Sequence, residues 1–152
     1  MVKEKIDGNM ENILEIRLIR NDEEYRETLN VRTFVFITEQ KVPKSIEFDE
    51  LDKESVHIIV KLEKKTIGCA RIRFINGKMK LERIAILKEH RNKGFGKRLM
   101  QYLISYCEVR KATEIVIHAQ YYLMRFYEAL GFDSRGETFF EAGIKHIEMY
   151  RK

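Results

Sequence analysis

Apolar and polar positions change their spacing along this chain in a way that separates strands from helices. Between residues 13 and 20, Leu14, Ile16 and Leu18 alternate with Glu15 and Arg17, the period of a half-exposed strand. Asn21 followed by Glu24 is a capping box with Asn in the Ser/Thr place, and acids crowd the first turn. The spacing then predicts a helix to about Glu39, with Tyr25, Leu29, Arg32 and Phe36 near one stripe. Pro43, the only proline, helps end it and opens a loop to Glu54. Residues 56–62 and 66–75 read as strands around the turn Glu63-Lys64-Lys65. Asn76-Gly77 is the dipeptide that type I′ hairpins favour, because both central residues need positive φ. Residues 78–87 are therefore expected to pair antiparallel with 66–75.

The second half of the chain changes period. Leu99, Leu103 and Tyr106 share one face of a helix running to about Arg110, with Phe95, Tyr102 and Cys107 alongside. A short apolar strand at 114–119 should lie parallel to 78–87, by the strand–helix–strand rule. Residues 121–130 read as helical, closed by Gly131 at a left-handed C′ position. Strands are expected near 132–135 or 138–140, and at 145–150. Residues 1–12 are read as a flexible leader and 13–152 as a single domain. The pattern predicts an α+β domain with a mixed, mostly antiparallel sheet of six to seven strands and about four flanking helices.

One junction stands out, from Leu81 to Arg98. A strand there feeds Arg91-Asn92-Lys93-Gly94-Phe95-Gly96 at the start of a helix. The first N–H groups of a helix have no internal partners, and the macrodipole leaves that end partly positive. Such an end binds phosphate when little side-chain bulk blocks the backbone, and Gly94 and Gly96 remove the bulk. Lys88, Arg91, Lys93, Lys97 and Arg98 add positive charge against Glu89 alone. The junction reads as a pyrophosphate cradle. It is neither GxGxxG, because Leu99 stands where the third glycine belongs, nor the triphosphate loop GxxxxGK[ST].

Composition narrows the field. The chain has 152 residues, 44% hydrophobic and 35% charged, which suits one globular domain and not a disordered one. The longest stretch without Asp, Glu, Lys or Arg runs from Ile115 to Met124, too short for a membrane span. The N-terminus is polar, with no signal-peptide apolar region. Cys69 and Cys107 form no CxxC pair and sit in apolar settings, so free thiols in a reducing cytoplasm are expected. The net charge of +5 is not spread as a polyanion footprint. Basic residues cluster at 88–98, and acids (Glu47, Asp49, Glu50, Asp52, Glu54) cluster elsewhere. Neither zinc-finger spacing nor an RNP pattern is present, so nucleic acid and membrane are not expected partners.

Arg-x-x-Gly-x-Gly at a strand-to-helix turn resembles the acetyl-coenzyme A signature of the GNAT N-acetyltransferases. Phe126-Tyr127-Glu128-Ala129-Leu130-Gly131-Phe132 resembles the second signature of that family, in the same order and at about its separation. The chain looks closest to the ElaA-like branch, through residues 32–40, 47–52, 118–120 and 141–149. Many relatives carry Asn seven residues before the motif tyrosine and Ala four before it, where this chain has Gln120 and Leu123. The resemblance implies the GNAT acyl-CoA N-acyltransferase fold. It also implies acetyl transfer from acetyl-coenzyme A to a primary amine of a small molecule or peptide, by direct attack on the thioester, in a monomer or homodimer.

The resemblance implies that the backbone of Ile84, Ala85 and Ile86 holds the pantetheine amides like an added strand. Arg91, Asn92, Lys93, Gly94, Phe95, Gly96 and Lys97 would hold the diphosphate, and Gln120 the pantetheine arm. Tyr127 is the expected acid for the departing thiolate, since a phenol of ordinary pKa near ~10 donates while itself uncharged. Glu82 is the first candidate base: it lies two residues before Ile84, ~7 Å along the same strand. His118, at the end of the neighbouring parallel strand, is the second. His57 and His146 give no metal spacing, and no metal is expected. The acids of 47–54 can attract an ammonium, or merely be solvated. Arg71 and Arg73 share a strand face suited to a substrate carboxylate, or to plain surface charge. Two other functions fit the same residues: a non-catalytic coenzyme A sensor, and an acyltransferase like the acyl-homoserine-lactone synthases.

Overall fold

The computed structural model describes residues 2–5 and 13–152. Strands β1 (Val2–Lys5), β2 (Ile13–Leu18), β3 (Val56–Leu62), β4 (Lys65–Ile75), β5 (Lys78–Ile86), β6 (Glu114–Gln120), β7 (Asp133–Glu141) and β8 (Ile144–Arg151) form one sheet. Its order is β1-β2-β3-β4-β5-β6-β8-β7. Strands β2 to β8 make the seven-stranded mixed sheet, flanked by four α-helices, that the pattern predicted. Strand β1 extends one edge by pairing Val2–Lys5 with Ile13–Ile16, so part of the expected leader is a strand. The remainder of that leader lies outside the described residues. Every neighbouring pair is antiparallel except β5 and β6. The strand expected at 145–150 is β8, and β7 runs through both of the short alternatives expected before it, so the tail is one long hairpin.

The Asn76-Gly77 turn has the anticipated geometry, with φ of 50° and 81°. Helix α1 (Asp22–Arg32) is capped as expected: the Asn21 side chain accepts from the Glu24 N–H at 2.8 Å. Its continuation is not α-helical, because Thr33–Glu39 winds as a π-helix, a wider turn that favours functional sites. Within the expected loop after Pro43 lie the short helix α2 (Lys44–Glu47) and a 3₁₀ turn at Glu50–Glu54.

The sheet has two unlike faces. On one, α3 (Phe95–Val109) buries Phe95, Leu99, Met100, Leu103 and Cys107 against Leu81, Ile117 and Met149. The short helix α4 (Met124–Glu128) adds Tyr127 to the same cluster. Each such buried aliphatic side chain contributes about 1.5–3 kcal/mol of transfer free energy. On the other face, α1 and the 44–54 segment cover β3 to β5, with a small apolar patch of Val31, Val35, Cys69 and Ala85. Beside it lies an ionic network. Arg32, 1% exposed, pairs with Glu47 and with Asp52 at 2.9 Å. Arg71, also 1% exposed, reaches Asp49 at 2.7 Å, Asp52 at 2.9 Å and Glu82 at 3.1 Å. Glu47, Asp49 and Asp52 are thus clamps for buried arginines, while Glu50 and Glu54 are exposed, and Arg71 is consumed internally instead of facing a substrate.

Candidate active site

The sheet opens at its one parallel seam. Strands β5 and β6 pair from Lys78↔Glu114 to Leu81↔Ile117 and then part, although β5 continues to Ile86 and β6 to Gln120. The cause is local. Cys69 pairs with Ala85 and Arg71 with Glu82, so Arg83 and Ile84 stand opposite Ala70 alone. Arg83 takes φ of 54°, and this bulge turns β5 away from its neighbour. Strand β6 stays bound to β8 as far as Gln120↔His146, so a wedge opens between the strand ends. A cleft of about 440 Å³ lies there, lined by Glu82 to Ile86, His118, Gln120, Leu123 and Tyr127 among others.

The free edge of β5 offers main-chain groups to whatever fills the cleft. Leu87 N–H donates to Ile67 on the β4 side at 2.8 Å. Alternation along a strand therefore turns Ile84 and Ile86 toward the cleft. The Ile86 carbonyl indeed accepts from Arg91 Nε at 2.9 Å. Gly68 permits close strand packing here: a Cβ on it would lie 2.8 Å from the Ala85 carbonyl oxygen.

At the far end of the cleft α3 begins. Gly94 adopts a left-handed conformation, φ 83°, with no side-chain cap on the helix and open space where a Cβ would stand. A second left-handed residue, Asn92 (φ 62°), precedes it, so successive N–H groups converge as in an anion nest. Lys93 and Lys97 are exposed beside the turn. Phe95 points into the core and leaves only its main chain for a ligand. Gly96 faces Phe126, whose ring would lie 3.9 Å from a Cβ. An unpaired strand edge leading to an uncapped, glycine-lined helix start fits an extended amide chain ending in a diphosphate.

At the point of the fork stand Glu82 and His118, the first residues beyond the last paired rung on either strand. Glu82 receives Arg73 and Arg71, and Lys80 lies 3.6 Å away. Burial works against its charge, but the Arg73 hydrogen bond and the charges of Arg71 and Lys80 outweigh it. Its carboxyl is held below the usual range, which makes it a weak base with its oxygens engaged. His118 Nδ1 meets Glu141 Oε1 at 2.8 Å, and Nε2 lies 3.4 Å from Glu148 Oε1. The Tyr127 phenol is 6% exposed, ringed by Phe126 and Phe132, and burial pushes its pKa well above the ordinary phenol value. Its hydroxyl makes no hydrogen bond among the described residues.

Two expected ligands are already engaged. Arg91 holds Glu39 as well as Ile86, and Gln120 donates to Gln40 Oε1 at 2.9 Å. Both partners sit at the end of the π-helical segment, which therefore crosses the cleft. Residues 32–40 did resemble the ElaA-like branch, but the spacing gave no sign of the wider winding, because a π turn keeps helical composition. Glu141 and His146, also in the lining, did lie within the 141–149 stretch that resembled the ElaA-like branch. No cluster of three His, Cys, Asp or Glu side chains is placed to hold a metal among the described residues.

Solved structures with this architecture define the class of protein. The fold matches an acyl-CoA N-acyltransferase from Pseudomonas aeruginosa with a TM-score of 0.83 at 26% identity, over 91% of this chain and 99% of that one. Escherichia coli ElaA matches with a TM-score of 0.81 at 24% identity, over 91% and 99% of the two chains. The fold is that of the acyl-CoA N-acyltransferases. In sequence, the profile of the Acetyltransferase (GNAT) domain covers residues 20–152. The Bacillus subtilis protein YjcF, described as an uncharacterized N-acetyltransferase, is 37% identical over 135 residues, 88% of this chain and 96% of its own. The chain belongs to the GNAT acetyltransferase family.

Proposed function

We propose that this protein is an acetyl-coenzyme A-dependent N-acetyltransferase acting on a primary amine of a small molecule or peptide. The observation that carries the reading is the fork between β5 and β6. It joins an unpaired strand edge at Ile84–Ile86 to the start of α3, with His118 at the point of the fork and Tyr127 in the same lining. Acetyl-coenzyme A supplies the activated acyl carbon and a thiolate leaving group. The main chain of Ile84 and Ile86 binds the amides of the arm, and the N–H groups from Asn92 to Lys97 bind the diphosphate.

The remaining work is proton handling. Burial keeps the Tyr127 hydroxyl protonated, and the same apolar surroundings raise the basicity of a thiolate formed beside it. The phenol gives its proton to that sulfur as the C–S bond breaks. Glu82, tied to Arg71 and Arg73, holds the shape of the fork. Two cysteines support the cytoplasm as its place of action. These are Cys69 and Cys107, both free and both buried.

Thiol release from acetyl-coenzyme A over a panel of amines tests the reading, with calorimetry of coenzyme A binding beside it. Amine-dependent release is expected. Tight coenzyme A binding without release over a broad panel would leave a coenzyme A sensor as the better description.

A further inference from the structure

We propose that the β7–β8 hairpin completes the active site: Glu141 orients His118, and His118 Nε2 takes the proton of the acceptor ammonium, which docks beside Glu148. The proposal rests on the acetyltransferase reading above and extends it to the acceptor side. Its basis is the juxtaposition of three strands. His118 lies on β6 at the fork, opposite Glu148 of β8, and Glu141 ends β7 where the hairpin turns back. A proton on Nδ1, donated to Glu141 Oε1 at 2.8 Å, leaves the Nε2 lone pair for the guest. The ring is fixed from a second side by Phe139, edge-on at 5.1 Å, and Phe139 in turn stacks on His146 at 5.9 Å.

Charge around the ring favours a cationic guest. Glu148 Oε1 lies 3.4 Å from Nε2, while its other oxygen accepts from Arg135 Nε at 2.6 Å. Arg135 also binds Glu114, at 2.7 Å, so its charge is shared between two carboxylates. The groups facing His118 are therefore Glu141 and Arg135 of β7, Glu148 and His146 of β8, and Lys80 and Glu82 of β5. Glu82 is occupied by arginines, which leaves Glu141 and Glu148 as the anions addressed to the ring and its guest. An alkylammonium beside Nε2 and Glu148 is attracted by both; a carboxylate there would face two anions.

The step balances. Nε2 accepts one proton from R–NH₃⁺, giving imidazolium and a neutral amine. The amine nitrogen forms the C–N bond to the thioester carbon as the C–S bond breaks. The sulfur takes the Tyr127 proton, and the phenolate recovers the second proton from the nitrogen. Imidazolium returns its proton to water, so the products are amide, coenzyme A thiol and one proton.

The experiment compares wild type with Glu141→Gln, Glu141→Ala and His118→Gln. It reads kcat/KM against pH on an amine that wild type acetylates, with coenzyme A affinity and Tm beside it. Nitrogen-15 NMR of the histidine rings reports the tautomer. His118→Gln should lose about 100-fold or more in kcat/KM. Glu141→Gln should lose less than His118→Gln does, with the acidic limb of the profile moved, and Glu141→Ala more than Glu141→Gln. Coenzyme A affinity and Tm should stay near wild type in all three, and NMR should find the His118 proton on Nδ1. Wild-type profiles in either Glu141 variant, wild-type activity in His118→Gln, or a proton on Nε2 would overturn the dyad and leave the acetyltransferase reading standing. A wild-type protein that acetylates no amine would instead remove the reading on which the dyad depends.

Discussion

Arg91 grips Glu39 across the mouth of the cleft between β5 and β6. Its Nη2 donates to Glu39 Oε1 at 2.9 Å, its Nη1 bonds the second carboxylate oxygen, and its Nε donates to the Ile86 carbonyl. The first residue of the phosphate signature is thereby joined to the π-helical segment and to the strand that would hold pantetheine. The Arg91 hydrogen bond keeps the Glu39 carboxyl below its usual range, so the carboxylate is charged at neutral pH.

That carboxylate stands where a diphosphate would draw on the same guanidinium. Glu39→Gln should therefore tighten coenzyme A binding. A partly exposed pair of this kind contributes about 0.2–1 kcal/mol, or about a 1.5-fold to fivefold lower Kd. Calorimetry at low and high salt checks it. The gain should shrink as salt screens the charges, and an unchanged or weaker affinity would show that Glu39 does not compete.

Tyr127→Phe removes one hydroxyl from a site otherwise built of hydrocarbon. Burial of the ring is kept, so Tm and coenzyme A affinity should remain close to wild type. Turnover should fall by about 100-fold or more, the usual share of a general acid. Single-turnover thiol release is the measurement, and unchanged release would remove the phenol from the mechanism.

Two glycines should respond differently to alanine. At Gly68 a Cβ meets the Ala85 carbonyl oxygen at 2.8 Å and Ile86 Cδ1 at 2.7 Å, so β5 itself must move. Overpacking of this sort costs about 1–3 kcal/mol. It should also weaken coenzyme A binding, since a shift of Ala85 and Ile86 displaces the free edge of β5 that is proposed to hold the arm. At Gly94 nothing lies within 4 Å, and the cost is the left-handed φ of 83° alone, about 1–2 kcal/mol. Thermal unfolding with and without coenzyme A measures both: each variant should lose stability, and at Gly68→Ala the rise in Tm on adding coenzyme A should also shrink.

Asp52 links acid stability to the ionic network. Burial disfavours its charge, but hydrogen bonds from Tyr25 and Arg71 and the charge of Arg32 bring its carboxyl down to about 2. A folded value below the unfolded one, ~3.9, gives stability that is complete above about pH 4. It is lost as pH falls through about 2. Asp52→Asn should flatten that part of the pH–stability curve. At neutral pH it should cost on the order of 3 kcal/mol, because Arg32 and Arg71 stay buried with one anion fewer. Urea unfolding from pH 2 to 7 measures both effects.

Local pattern was enough for most of the architecture. Alternation in β2, the Asn76-Gly77 turn, the apolar stripe of α3 and the glycine-marked start of that helix are short-range facts, and each came out where the spacing put it. The parallel placement of β6 beside β5 also followed, because a strand–helix–strand unit has one favoured handedness. Strand β1 escaped notice, since a short polar segment gains its hydrogen bonds only from an edge already built.

Side-chain roles were another matter. Glu82 looked available on its strand, yet three cations from β4 and β5 reach it in space. Whether a carboxylate is a base or an ion-pair partner depends on neighbours supplied by other elements. Glu39, Gln40 and Glu141 enter the site for the same reason: a π turn and a hairpin bring them across the fork. The residues of this chain by themselves determined the order of strands and helices and the cradle at Gly94, because backbone hydrogen bonding and helix starts depend on near neighbours. Only the tertiary structure decided which charges are spent on one another and which face the cleft, because electrostatic partners are set by distance in space.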